Sequence, residues 1–177
     1  MIKLRKIEPS DLPFLYQWEN DASVWADGAN HNPLSQQDLR DYIASTTGDI
    51  YKDGQLRLVI QSLSEAVFEQ SGLSSLSPQD GLSIGCIDLF DFDPRNRRAA
   101  IGMYIAPEHR GKGVGHEALK QLEAYAFKHL NLRVLYAVIA TNNKPCSALY
   151  EHAGYMPSSI LPHWTIESDA VLWIKNK

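Results

Sequence analysis

Between residues 98 and 140 the order of residue types leaves few choices of local fold. Ala99 to Ile105 is a nearly continuous apolar run, Ala106-Pro107-Glu108-His109 ends it, and Arg110-Gly111-Lys112-Gly113-Val114-Gly115 sets three glycines within five positions. From there Val114, Ala118, Leu122, Tyr125, Ala126 and His129 recur at intervals of three and four to about Leu130, the period of an amphipathic helix. Asn131-Leu132 stops the helix, and Arg133 to Ala140 is again apolar enough for a buried strand. Strand, glycine turn, helix and strand predict one βαβ unit with parallel strands and a right-handed crossover.

The turn is also the best candidate for chemistry. Glycines let a backbone approach a ligand closely, and the first N–H groups of the following helix lack intrahelical partners at the positive end of its dipole. Such a turn suits phosphate, and Arg110 and Lys112 add two cations that suit a pyrophosphate. A Walker A loop is excluded, because Lys112 is followed by Gly113 where Ser or Thr would have to hold magnesium. A Rossmann fingerprint fits poorly: His116 stands where its third glycine belongs, and Thr141-Asn142-Asn143 where its acidic residue belongs. The glycines alone would equally serve tight packing of helix on strand.

The rest of the chain supplies more elements of the same sheet. Ile2 to Ile7 alternates as a half-buried strand and Glu8-Pro9-Ser10-Asp11 stops it; Leu12, Phe14, Leu15 and Trp18 then predict a helix, with Pro13 tolerated in its first turn. Ser35-Gln36-Gln37-Asp38 resembles a capping box with Asp for Glu, opening a second helix whose inner face is Leu39, Tyr42 and Ile43. Asp21 to Pro33 between them reads as a loop. Leu56 to Ile60 and Ile84 to Phe90 are strand-like, joined by a hairpin insertion from Ser62 to Gly81; a short helix from about Pro145 to Ala153 ends at Gly154, and Val171 to Ile174 is a last strand. With 177 residues, 44% of them apolar, the expectation is a single domain over residues 1–177, of α/β or α+β class.

Composition narrows the function. A net charge of -4 argues against general nucleic-acid binding, and no apolar stretch approaches the roughly 20 residues of a membrane span. No apolar segment follows the charged start, so a cytoplasmic protein is expected. Cys86 and Cys146 are isolated and no HxxxH pair occurs, so neither a disulfide framework nor a protein-built metal site is expected. Neither cysteine has an adjacent base that would make it a nucleophile.

Two segments together resemble a known family. Arg110-x-x-Gly113-x-Gly115 after Ile105-Ala106-Pro107 is similar to the acyl-CoA pyrophosphate loop of the GCN5-related N-acetyltransferases (GNAT). Asn143-Lys144-Pro145-Cys146-Ser147-Ala148-Leu149-Tyr150-Glu151-His152-Ala153-Gly154-Tyr155 resembles that family's second signature, and the start, Leu4-Arg5 through Trp18-Glu19-Asn20-Asp21, resembles its ribosomal-protein-alanine and spermidine acetyltransferase branch. Ser62 to Gly81 and Ser158 to Ala170 match poorly.

The resemblance implies a mixed, mostly antiparallel sheet of about six to seven strands around the parallel βαβ unit, with helices on both faces. It implies acetyl-CoA as co-substrate and no metal, with Met103, Tyr104 and Ile105 giving main-chain contacts to pantetheine. Arg110, Gly111, Lys112, Gly113, Val114 and Gly115 would cradle the pyrophosphate, and Asn143 would bond the pantetheine arm, although by itself Asn143 reads as a loop residue or helix cap. Tyr150 would act as general acid to the CoA thiolate, where otherwise it reads as a packing tyrosine. Many relatives carry a Glu at the position of Ala100, so the base is open; Asp88, Asp91, Asp93, Glu19 and Asp27 are the carboxylates in range. A main-chain N–H of Tyr104 or Ile105 would meet the oxyanion.

The acceptor is expected to be a polyamine, a peptide or protein N-terminus or a small amino compound, entering beside Trp25-Ala26-Asp27-Gly28. Arg95, Arg97 and Arg98 read as a solvated hairpin tip, with a 3′-phosphate or ribosomal RNA contact as the other reading. A homodimer or larger homo-oligomer fits the resemblance. From another class, the chain could be a CoA-binding sensor or interaction module without turnover.

Overall fold

The computed structural model describes residues 1–21, 32–63 and 81–177. The expected elements are present, with the short helix α3 added to them: β1 (Ile2–Lys6), α1 (Leu12–Glu19), α2 (Gln36–Ser45), α3 (Ile50–Asp53), β2 (Leu56–Ser62), β3 (Leu82–Asp93) and β4 (Arg98–Ile105). They continue with α4 (Val114–Lys128), β5 (Val134–Ala140), α5 (Lys144–His152), β6 (Met156–Leu161) and β7 (Ala170–Asn176). The strands form one seven-stranded sheet in the order β1-β2-β3-β4-β5-β7-β6. Every pair is antiparallel except β4 with β5, the two strands of the predicted βαβ unit.

Alternation along the strands sends residues to two cores. On one face Leu89, Ala99, Ile101, Leu135, Ala137 and Trp173 meet Ala118, Leu119, Leu122 and Ala126 of α4 and Tyr150 of α5. On the other, Val59 of β2 packs against Leu15 and Trp18 of α1 and Leu39 and Ile43 of α2. The capping box at α2 forms as predicted: Ser35 Oγ accepts from Asp38 N–H at 3.1 Å, and Asp38 accepts from Ser35 N–H at 2.8 Å.

Three expectations need correction. Tyr125 and His129 do not belong to the buried stripe of α4; both face solvent, with ring centroids 5.7 Å apart, and Leu119 takes a place in the core instead. The expectation has no strand between α5 and β7, where β6 lies; almost all residues of β6 are exposed, so it lacks an alternating pattern. The span from Ser62 to Gly81 is shorter as an insertion, since Ser62 already pairs with Leu82 in the β2–β3 hairpin. Residues 64–80 lie outside the described residues.

Candidate functional site

The βαβ unit contains an opening. β4 pairs with β5 only from Arg98 to Ala100, opposite Val134 to Tyr136. Beyond that point β4 stays paired with β3 as far as Ile105, while β5 stays paired with β7 as far as Ala140. The two strands part, and the β5-facing edge of β4 from Ile101 to Ile105 lines a wedge whose backbone groups can receive an extended ligand as an additional strand would be received.

Main-chain direction follows from two fixed points. Ala106 N–H donates to Ile84 O at 3.0 Å, toward β3, whereas Arg97 O accepts from Arg133 N–H at 2.7 Å, toward β5. Alternation then turns the amides and carbonyls of Ile101, Met103 and Ile105 into the wedge and those of Gly102 and Tyr104 toward β3. Of the three strand residues expected to contact pantetheine through their main chain, Met103 and Ile105 face the wedge and Tyr104 does not. Tyr104 contributes its ring, which packs 5.4 Å from Trp18 and lies under the Arg110 guanidinium at 5.8 Å.

At the wide end of the wedge lies the glycine turn. Gly111 (φ +70°) and Gly113 (φ +78°) are left-handed, and a Cβ at either would meet nothing within 4 Å, so both backbones are open to a ligand. Gly113 caps α4, whose first turn closes with Glu117 N–H donating to Gly113 O at 3.2 Å. The preceding amides at Val114, Gly115 and His116 therefore lie before the first helical bond. Gly115 does a different job: a Cβ there would lie 3.2 Å from both Ile105 Cδ1 and Leu149 Cδ2, and 3.6 Å from Met103 Sδ. It lets α4 pack down on β4 and α5, so packing and ligand approach divide the three glycines between them.

Arg110 folds back, its Nε donating to Ile105 O at 2.8 Å, while Lys112 is exposed at the turn. Asn143 caps α5, accepting from Cys146 N–H through Oδ1 at 3.2 Å. Tyr150 is 2% exposed and meets Tyr155 edge-on at 4.9 Å. Burial, reinforced by Cys146 and Glu123, pushes its phenol far above the ordinary range, so it is a neutral donor. Burial, then the charge of Asp88, raises the Cys86 thiol to about 12, which removes it as a nucleophile at neutral pH.

The expected base candidates divide sharply. Arg57 of β2 holds two of them: its Nε and Nη2 donate to Asp88 Oδ1 and Oδ2 at 2.9 and 2.8 Å, and its Nη1 to Glu19 Oε1 at 2.5 Å. Asp93 accepts from Asn96 N–H and Nδ2 at 2.9 and 2.7 Å in the turn before β4. Asp91 accepts from the Tyr136 hydroxyl. Asp27 and the Trp25-Ala26-Asp27-Gly28 stretch lie outside the described residues. Sequence reading missed Arg57 and Tyr136, although an arginine inside the apolar Leu56-Arg57-Leu58-Val59-Ile60 was a usable signal for a buried ion cluster.

Arg95, Arg97 and Arg98 sit at the far end of β4, about 23 Å along an eight-residue strand from the glycine turn, which places them away from any phosphate bound there. A recess of about 580 Å³ between Asn96, Arg97, Asn131 and Arg133 shares that remote end. Among the described residues no group of three or more His, Cys, Asp or Glu is placed to hold a metal ion, and no helix is long and apolar enough to cross a membrane.

Comparison with known proteins points the same way. Spermidine N(1)-acetyltransferase of Escherichia coli (strain K12) is 27% identical over 92% of this chain and 76% of its own length. The putative ribosomal N-acetyltransferase YdaF of Bacillus subtilis (strain 168) is 38% identical over 44% of this chain and 42% of its own. The crystal structure of spermidine N-acetyltransferase from Vibrio cholerae in complex with CoA and spermine superposes with a TM-score of 0.82, at 22% identity, covering 99% of this chain and 95% of that one. The family profile of the acetyltransferase (GNAT) domain matches residues 2–156, from β1 through the wedge and glycine turn to the start of β6; the chain belongs to the GNAT acetyltransferases.

Proposed function

We propose that the chain transfers an acetyl group from acetyl-CoA, held in the β4–β5 wedge, to a primary amine of a polyamine-like cation. The observation that carries this is the parting of β4 from β5 directly below a glycine turn with two open left-handed backbones. The turn receives the pyrophosphate on the amides from Gly111 to Gly115, with Lys112 and Arg110 supplying positive charge. Met103 and Ile105 main-chain groups bond the pantetheine arm, Asn143 supports it from the start of α5, and an inward N–H nearer the narrow end of the wedge, that of Met103 or Ile101, meets the oxyanion.

Chemistry proceeds by direct attack. A neutral amine nitrogen bonds to the thioester carbon, the carbonyl oxygen takes the electron pair, and collapse expels the CoA thiolate. Tyr150 donates a hydrogen bond to that sulfur; its raised pKa makes complete proton transfer to a thiolate uphill, so stabilisation of the leaving sulfur is its main contribution. The polyamine reading is supported by the spermidine acetyltransferases among the relatives and by Arg57, Asp88 and Glu19, whose formal charges sum to one negative beside Gly102. The same reading takes the enzyme as cytoplasmic and self-associating, the latter supported by exposed Met156, Ile160, Trp164 and Ile166 around the β6–β7 hairpin.

The test is thiol release from acetyl-CoA with polyamines, amino sugars, amino acids and N-terminal peptides as acceptors. Polyamines are expected to give the highest kcat/KM, and Tyr150→Phe to lower kcat by about 10²-fold with CoA affinity retained. CoA binding with no acceptor-dependent release would instead support a non-catalytic sensor.

A further inference from the structure

The reacting carbon of a thioester in the wedge lies near its narrow end, where β4 leaves β5 after the pair Ala100–Tyr136. One side of that point is closed: Ile101, Leu135 and Ala137 belong to the buried cluster that holds Ala118 and Leu122 of α4. On the other side Phe90 (42% exposed), Val138 (39% exposed) and Asp91 reach solvent, and the half-exposed Gly102 has only the edge of the Phe90 ring and Asp88 Cβ beside it. An acceptor amine therefore arrives on the face that carries Tyr136.

Asp91 is on that face for a specific reason. Residues 86, 88 and 90 of β3 share it, so strict alternation would turn Asp91 to the opposite side. A bulge between Phe90 and Asp93 interrupts the register, and Asp91 takes a left-handed φ of +49°, unusual for a residue with a side chain. The strain re-aims its carboxylate onto the Tyr136 hydroxyl, a bond that spans β4 from β3 to β5. Ala100, the residue between, is only 4% exposed. Asp88, Glu19 and Asp93 are held by Arg57 or Asn96, so that among the described base candidates Asp91, which accepts from the Tyr136 hydroxyl, is the carboxylate not engaged by Arg57 or by the Asn96 turn.

We propose that Tyr136 and Asp91 form a proton relay for the acceptor amine, with Tyr136 the group that touches the nitrogen and Asp91 the residue that positions and completes the relay. This rests on the proposed acetyl transfer. As the C–N bond forms, the nitrogen becomes cationic and gives one proton to Tyr136 Oη, while Tyr136 passes its own proton to Asp91. The C–S bond then breaks, the sulfur leaves with its electron pair and is protonated from solvent, and Asp91 releases its proton to water. No phenolate accumulates, consistent with burial and the Asp91 bond raising the Tyr136 phenol to about 12. The other charged groups facing it are Asp93 of β3 and Arg98 of β4, 3.4 Å apart as an ion pair.

The experiment is the pH dependence of kcat for wild type, Asp91→Asn, Asp91→Glu and Tyr136→Phe with one polyamine, alongside CoA affinity. Asp91→Asn and Tyr136→Phe are expected to lose about 10²-fold near neutral pH and to recover to within about tenfold of wild type above about pH 9.5, where hydroxide takes the proton. Asp91→Glu should retain most activity, and CoA affinity should not change. A loss of the same factor at every pH, or an Asp91→Asn enzyme as fast as wild type, overturns the relay while leaving acetyl transfer intact. Wild-type protein that binds CoA but acetylates no amine overturns the transfer itself, and the relay with it.

Discussion

Replacing Gly113 by Asp separates the electrostatics of the glycine turn from its shape. A side chain at this position meets nothing within 4 Å and projects at the open N-terminus of α4, so Asp introduces a carboxylate without a steric clash inside the protein. Its left-handed φ of +78° costs an L residue about 1–2 kcal/mol, less for Asn and Asp, and this cost is present with and without ligand. It should therefore lower Tm by a few degrees and cancel from Kd. The charge does not cancel. At a separation of about 6 Å and an effective dielectric of about 20, two unit negative charges repel by about 3 kcal/mol, or roughly a hundredfold in affinity. Gly113→Asn has nearly the same shape and backbone strain but no charge. Calorimetric CoA binding should therefore show Gly113→Asp at least about a hundredfold weaker than Gly113→Asn, with the gap narrowing in salt of about 0.5 M. Equal affinities for the two variants would refute the placement of the pyrophosphate at this turn.

Two further outcomes follow from the packing. Gly102→Val puts a Cβ 3.3 Å from Phe90 Cε1 and 3.9 Å from Asp88 Cβ on the acceptor side, so KM for the amine should rise on the order of tenfold while CoA affinity holds; steady-state kinetics with varied amine checks it. The Asp11 carboxylate, buried at 2% exposure, accepts from Arg5 twice at 2.7 Å, from Ser83 Oγ at 2.8 Å and from Glu8 N–H at 2.9 Å. Burial alone would raise its pKa, but Arg5, the Glu8 amide and Ser83 outweigh it and hold it below the usual range. Its contribution is thus full above its unfolded pKa of about 4 and lost as pH falls through the lower folded value. Asp11→Ala should cost about 3 kcal/mol in urea unfolding at neutral pH, and the deficit should shrink below about pH 4; a constant deficit would count against the pair.

What was legible in the residues was whatever repeats with a period or carries a turn's chemistry. The apolar run before three spaced glycines located β4 and α4 within a residue or two, and Ser35 with Asp38 located α2. Strand β6 was hidden because a strand with nearly every residue exposed has no alternation to read. The main-chain direction of Tyr104 was hidden for a related reason: side-chain patterns show which face a residue takes, but not which strand edge its amide serves, and that required the Ala106–Ile84 and Arg133–Arg97 bonds. Asp91 was even less accessible, since its side chain reaches Tyr136 only because a bulge breaks the alternation on which such reading depends.

The net charge of -4 conceals a division between the two faces of the βαβ unit. At the wide end of the wedge, the helix amides with Lys112 and Arg110 are the groups the proposed function assigns to an anion. On the opposite sheet face, the formal charges of Arg57, Asp88 and Glu19 sum to one negative beside Gly102, with Asp91 further along toward Tyr136. In the proposed transfer, an anionic donor and a cationic acceptor thus approach the same thioester from sites of opposite sign. Removal of Arg57 would take away the cation that Asp88 and Glu19 share, whereas removal of Lys112 would weaken the donor alone. The arrangement accordingly ties donor affinity to the turn and amine selectivity to Arg57, and Arg57→Gln should alter the preference among acceptors before it alters CoA binding.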